Sequence, residues 1–204
     1  MATVMLDGVL ESASAMFTLP GQAECGDRHG VVSTPNGALA TVIDGIGHGS
    51  EAADAAERAL ESVRHLQRGE SLIEMLKRCH TALTGSRGAV MNIASFDTRE
   101  GTLTWLGIGN VEGRLLLRNT QSGYVRQNLL LRPGVVGQRL PAMQVAVSRV
   151  QRGDMVIFAT DGVDPDFAEH IRIDSPVSEI ANGIIARYCK KTDDALALVV
   201  RYLG

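Results

Sequence analysis

The sequence has no surplus of basic charge: Lys and Arg number 20 against 23 Asp and Glu, leaving a net charge of −3. A nucleic-acid binder carries a basic stripe or face, so no nucleic-acid partner is expected. No apolar run approaches the length that crosses a bilayer, so no membrane partner is expected either. The opening residues, Met1 to Asp7, lack the basic head and apolar core of a signal peptide. Cysteine is scarce: Cys25, Cys79 and Cys189 are odd in number and far apart. They do not make a disulfide framework or a zinc knuckle, and they fit reduced thiols in the cytoplasm. Repeats, linkers and low-complexity segments are also missing, and 204 residues suit one domain, 1–204.

What is present begins with Thr41-Val42-Ile43-Asp44-Gly45-Ile46-Gly47-His48-Gly49. The apolar run 38–43 reads as a buried strand that delivers the Asp44 carboxylate at its end, where glycines turn the chain into a helix. A second run, 155–160, ends the same way at Asp161-Gly162, and Asp193-Asp194 opens a third at 195–200. In an antiparallel sheet the end of one strand lies beside the start of the next. Aspartates distant in sequence, Asp27 included, are therefore expected to meet at a single sheet edge. Clustered carboxylates repel and take up protons unless cations hold them, and oxygen donors suit Mg²⁺ or Mn²⁺.

The rest of the chain supplies the scaffold. Asp7-Gly8 marks a hairpin within 3–10, a turn rather than a metal site, and 15–19 reads as a strand. Pro35-Asn36-Gly37 turns 29–34 back onto 38–43, which puts Asp27 near Asp44. Alanines at helical spacing from Ser50 to about Gln67 predict a helix lying close on a sheet, and Ser71-Leu72-Ile73-Glu74 is a capping box opening a second. Stretches 89–96, 102–106, 114–117 and 124–130, then 145–150 and 155–160, are strands separated by short turns, hence successive hairpins. Ser175-Pro176 is expected to cap a third helix, before a last strand at 195–202. Strands and paired helices in this order make an α+β fold with antiparallel sheets.

Gly26-Asp27, Asp44-Gly45-Ile46-Gly47-His48-Gly49, Gly88-Ala89, Gly109-Asn110, Ala159-Thr160-Asp161-Gly162-Val163 and Asp193-Asp194-Ala195 stand in the order seen in one family. Across nearly its whole length the chain resembles the metal-dependent PPM (type 2C) protein phosphatases, in their bacterial, SpoIIE-like branch. Its compact, stand-alone form is similar to that branch's stressosome phosphatases. The resemblance implies an αββα sandwich, two antiparallel sheets flanked by helices, with two Mn²⁺ or Mg²⁺ ions at one edge. It implies that Asp44 bridges the metals, that the Gly45 carbonyl ligates one, that Asp161 and Asp193 hold the other, and that Asp27 contacts the centre directly or through water. Asp194 would stand behind these ligands. The implied activity is hydrolysis of phosphoserine or phosphothreonine by metal-activated water, with phosphorylated STAS-domain stressosome proteins as partners.

The chain departs from the eukaryotic members at two points. Ile46 stands where those enzymes have a His, leaving His48 as the candidate acid or phosphate contact against a structural role. Gly21-Gln22-Ala23 stands where they place a phosphate-binding Arg, and Arg28 is either a substitute or a solvated surface residue. Cys25 reads as an inert thiol, His65 and His80 as surface or packing residues, and Gly109-Asn110 as a turn between strands. Asp164 and Asp166 are candidates for a further metal or a substrate loop. The aperiodic segment 129–144 carries Arg132 and Arg139 among apolar residues, a mixture suited to docking a phosphoprotein or, more blandly, to covering a sheet edge. Two other functions remain open: a hydrolase of small phosphoesters, and a silent binding module with the same fold.

Overall fold

Period-2 alternation and turn chemistry set the strands of a two-sheet sandwich, described by a computed structural model over residues 3–6, 8–67, 69–119, 121, 123–169 and 171–204. Asp7, read above as a turn residue, lies outside the described residues. In chain order the first elements are β1 (Val4–Leu6), β2 (Leu10–Phe17), β3 (Asp27–Thr34), β4 (Gly37–Gly45), α1 (Ser50–Arg64), α2 (Leu72–Ala82), β5 (Ala89–Asp97) and β6 (Thr102–Ile108). Then follow β7 (Glu112–Asn119), β8 (Gly123–Asn128), β9 (Leu131–Arg132), β10 (Ala146–Arg149), β11 (Met155–Ala159), a 3₁₀ turn (Pro165–Ala168), α3 (Val177–Tyr188) and β12 (Ala195–Tyr202).

Sheet one has the order β1-β2-β12-β11-β7-β8, and sheet two the order β10-β6-β5-β4-β3. All pairs are antiparallel except the short β9, which runs parallel to β6. The sheets pack face to face through Leu10, Val42, Ala94, Phe96, Leu115, Phe158 and Leu198. Helix α3 covers the outer face of sheet one through Ile180 and Ile184 against Ile157 and Val199. Helices α1 and α2 cover sheet two through Ala56, Leu60, Met75 and Leu76 against Leu39, Ile43 and Ile93. This is the expected αββα sandwich. Alanine lets α1 come close: a Cβ on Gly45 of β4 would sit 2.0 Å from the Ala52 carbonyl oxygen. The capping box of α2 is present, with Ser71 and Glu74 each accepting from the other's backbone N–H.

Four local readings are corrected. Strand β2 begins at Leu10, not 15, because its whole length pairs with β12. Gly109-Asn110 is not a hairpin turn, since β6 and β7 belong to different sheets. Gly109 adopts a φ of +95°, donates to the Arg132 carbonyl, and sends the chain across the sandwich. Strands β10 and β11 likewise part company, one to each sheet. The Asp154 carboxylate accepts from the Gln151 and Arg118 amides there, which closes a tight loop with no strand pairing across it. Ser175 is not the cap of α3; Pro176 takes that position without a side-chain bond, and the Ser175 carbonyl instead accepts from Arg201.

Candidate metal centre

The hairpin of β3 and β4 sets Asp27 directly opposite Asp44, as its turn predicted. Directly opposed residues put their side chains on the same face, and here that face carries Val42 and so looks toward sheet one. From sheet one, β11 runs out into Thr160 and Asp161 while Asp193 and Asp194 lead into β12 beside it. The aspartates therefore gather between the ends of two sheets, rather than along the edge of one as expected. A buried hydrogen bond joins the halves: the Thr160 hydroxyl donates to Asp27 Oδ2 at 2.8 Å and accepts from the Leu196 amide at 2.8 Å.

Each carboxylate has distinct surroundings. Asp27 is buried. Its carboxyl is raised to about 7, first by burial and then by Asp194, Asp161 and Asp193, against the lowering bond from Thr160. Asp44 is raised to about 9, again first by burial, then by Asp27, Asp161, Asp193 and Asp194. Asp161 is exposed, and its Oδ2 accepts from Asn110 Nδ2 at 2.8 Å. Asp193 is half-buried and accepts from the Asp194 amide at 2.8 Å.

The Asp194 carboxylate is spent on backbone amides beside the candidate ligands. Its two oxygens accept from the Leu19 amide at 2.8 Å and the Gly26 amide at 2.7 Å. It thereby fastens the segment before β3 to the start of β12, and Gly26 in turn accepts from the Gly45 amide. The turn at Gly162 presses so closely on this region that a Cβ there would lie 1.9 Å from the Asp194 carbonyl oxygen.

The donor set matches a hard cation: buried carboxyls that hold protons for want of positive charge, with backbone carbonyl oxygen nearby. Among the described residues no three His, Cys, Asp or Glu side chains already close around one point. Asp161 is turned toward Asn110. Side chains of one or two aspartates per ion, completed by carbonyl and water oxygens, suit Mg²⁺, which keeps several waters.

Other candidates resolve as follows. His48 is exposed and, among the described residues, has no hydrogen-bond partner. Arg28 is neither a phosphate clamp nor a solvated residue: it bonds Glu57 at 2.8 Å, the Cys25 carbonyl at 2.6 Å and the Asp27 carbonyl at 3.0 Å. The Cys25 thiol is pushed up to about 12 by burial and by Asp27, so it is inert as read. Asp164 caps the 3₁₀ turn by accepting from the Asp166 amide. His80 accepts from the Gly137 amide at 2.9 Å, which pins the 129–144 segment to α2.

That segment is mostly cover. Val136 is buried and bridges Ala89, while Arg132 Nη2 bonds Gln144 and Arg139 is exposed. Residues missed above are Thr160, legible only as the Thr before Asp-Gly, and Lys190, whose ammonium donates to the Asp161 carbonyl at 2.8 Å. Asn110 belongs to the Gly109-Asn110 pair of the family resemblance, read above as a turn.

A sandwich of this order is the PP2C phosphatase fold. The profile of Stage II sporulation protein E (SpoIIE) matches residues 34–203, and the chain belongs to that family. It is similar to phosphoserine phosphatase RsbX of Bacillus subtilis (strain 168), 25% identical over 175 residues, 85% of either chain. The fold is also that of RsbX in complex with magnesium, with a TM-score of 0.84 and 21% identity over 98% of each chain. A chain from a structure of the bacterial stressosome, described as a modular system adapted to control secondary messenger signaling, is similar too. Its TM-score is 0.82, with 29% identity over 94% of this chain and 99% of that one.

Proposed function

We propose that this chain, acting as one domain, removes phosphate from phosphoserine or phosphothreonine in STAS-domain stressosome proteins of the cytoplasm. The observation that carries the reading is the facing pair Asp27 and Asp44, one buried and one half-buried, short of positive charge, with Asp27 bonded across to the sheet that bears Asp161 and Asp193. Asp44 and the Gly45 carbonyl, with Asp161, Asp193 and Asp27, would hold two Mn²⁺ or Mg²⁺ ions. When bound, such ions supply charge neutralisation and a water acidic enough to attack phosphorus.

The chain's own residues prepare that edge. Thr160 fixes one oxygen of Asp27 and leaves the other free. Asn110 does the same for Asp161. Lys190 holds the Asp161 backbone, and Asp194 holds the turn that presents Asp27. His48, at the mouth of α1 with its ring in solvent, is free to protonate a serine leaving group. The substrate class is supported by the kinship with RsbX and with the stressosome chain. No helix among the described residues is long and apolar enough to cross a membrane.

The test is phosphate release from a phosphorylated STAS-domain protein by the purified chain, with Mn²⁺, with Mg²⁺ and with EDTA. Release only with metal supports the reading. Release from small aryl phosphates alone would favour a small-phosphoester hydrolase, and no release from either would leave a silent binding module.

A further inference from the structure

Among the described residues beside the aspartates, Arg28 is consumed by Glu57, Glu24 and two carbonyls, and Lys190 spends one ammonium donor on the Asp161 carbonyl. Arg87 is differently placed. It immediately precedes Gly88, whose carbonyl accepts from the Ile46 amide at 3.0 Å, and Ala89, which faces Gly45 in the β4–β5 ladder. These two anchors put it beside the loop that follows Asp44. Its guanidinium lies directly on Gly47: a Cβ built there would be 2.7 Å from Arg87 Nη1. Gly47 adopts a φ of +92° and carries no side chain, so it both permits the turn and leaves room for the guanidinium.

The ion partner of Arg87 among the described residues is Glu51, in the first turn of α1, and that pair is open to water, with side chains 46% and 70% exposed. Exposed ion pairs are weak. Glu51 also loses little on release, since an acid in the first turn of a helix stays favourable to the dipole. A carboxylate on a guanidinium occupies the same fork that a phosphoryl group takes.

We propose that Arg87 is the phosphate-binding residue of this site, its guanidinium leaving Glu51 for the phosphoryl oxygens of a substrate lying over the Asp44–Gly47 edge. Glu51 is then an internal competitor for the phosphate. The inference rests on the phosphatase reading and names the residue that receives the phosphate.

The two roles of the pair separate by sign. If Arg87 binds phosphate, Arg87→Ala weakens the site and Glu51→Gln strengthens it. If the pair only steadies α1, both substitutions weaken it. The experiment titrates inorganic phosphate into the Mn²⁺-loaded chain by calorimetry, and measures KM and kcat on a phosphoserine peptide. Arg87→Ala should weaken phosphate binding about tenfold and raise KM to match. Arg87→Lys should fall between it and the wild type, and Glu51→Gln should bind phosphate about two- to threefold tighter. Mn²⁺ binding without phosphate should be the same in all four proteins. Wild-type phosphate affinity in Arg87→Ala, or a weakening by Glu51→Gln, would overturn the proposal. Should Arg87→Ala not fold, Arg87→Lys and Glu51→Gln carry the same opposition of sign. A wild type that binds phosphate through Arg87 yet releases none from the peptide would count against the phosphatase reading alone.

Discussion

The two sheets contribute unequal halves to the aspartate cluster. Sheet two offers Asp27 and Asp44 across one ladder, buried or nearly so, with carboxyls raised to about 7 and about 9. Sheet one offers Asp161 and Asp193 from the loops at its strand ends, one exposed and one half-buried, each holding a local hydrogen bond. The buried half is rigid and unfavourable without a cation; the open half is adjustable and already solvated. A centre built this way stores its affinity in the first half and its access to substrate in the second.

The largest expected effect follows from that inequality. EDTA should abolish phosphatase activity, and Asp44→Asn should come close, at about a thousandfold loss of kcat/KM. Asp161→Asn and Asp193→Asn should lose less, about ten- to a hundredfold, and recover in part at high Mn²⁺. Asp7→Asn should behave as wild type in the same peptide assay. Equal losses at Asp44 and Asp161 would erase the distinction between the halves.

A smaller effect should come from the bond that joins them. Thr160→Val removes the hydroxyl between Asp27 and Leu196 and should weaken Mn²⁺ binding about tenfold or more, whereas Thr160→Ser should nearly restore it. Calorimetry on the two variants decides; a Thr160→Ser protein as weak as Thr160→Val would assign the residue to packing.

The pH dependence of stability sharpens the same contrast. Because the folded Asp27 and Asp44 carboxyls sit above the ordinary 3.8, the metal-free folded chain holds protons that the unfolded chain has lost. Their contribution is present in full below that value and disappears as pH rises through about 7 and about 9. In EDTA the melting temperature should therefore fall from about pH 4 to about pH 9, while the gain on adding Mn²⁺ should grow over the same range. A metal-induced gain that is flat with pH would show that the buried pair is not where the cation binds.

The smallest effect is expected farthest from the aspartates. Arg132→Ala with Arg139→Ala should slow hydrolysis of a phosphoprotein several-fold and leave an aryl phosphate almost unchanged. Equal losses on both would make the segment structural support, which the Gln144 bond of Arg132 and the buried Val136 favour in part.

Much of this was legible in the chain because local chemistry decided it. Pro35-Asn36-Gly37 fixed a register, and the register alone brought Asp27 to Asp44. Apolar period and glycine placement marked the strands ending in Asp44 and Asp161. What escaped depends on which sheet a strand joins, a choice made by contacts remote in sequence. Gly109-Asn110 and 151–154 look like hairpin turns locally, yet each carries the chain between sheets. Asp194 reads like a ligand's neighbour, and only the fold reveals that both its oxygens are spent on Leu19 and Gly26. Lys190 carries no spacing signal at all, and Thr160 shows only as the residue before Asp161-Gly162.

The pairing of β2 with β12 has a consequence for the order of events in folding. Asp27 and Asp44 sit on one tight hairpin and can find each other as soon as that hairpin closes. Sheet one cannot be completed until the first long strand meets the last, with Leu10 opposite Tyr202. Contacts so distant along the chain are slow to form. The half-site on sheet two thus waits, with its two acids facing each other, for that distant segment to bring Asp193 into place. Enzymatic competence in this chain should be the final event of folding, and its recovery after dilution from denaturant should lag behind the return of secondary structure.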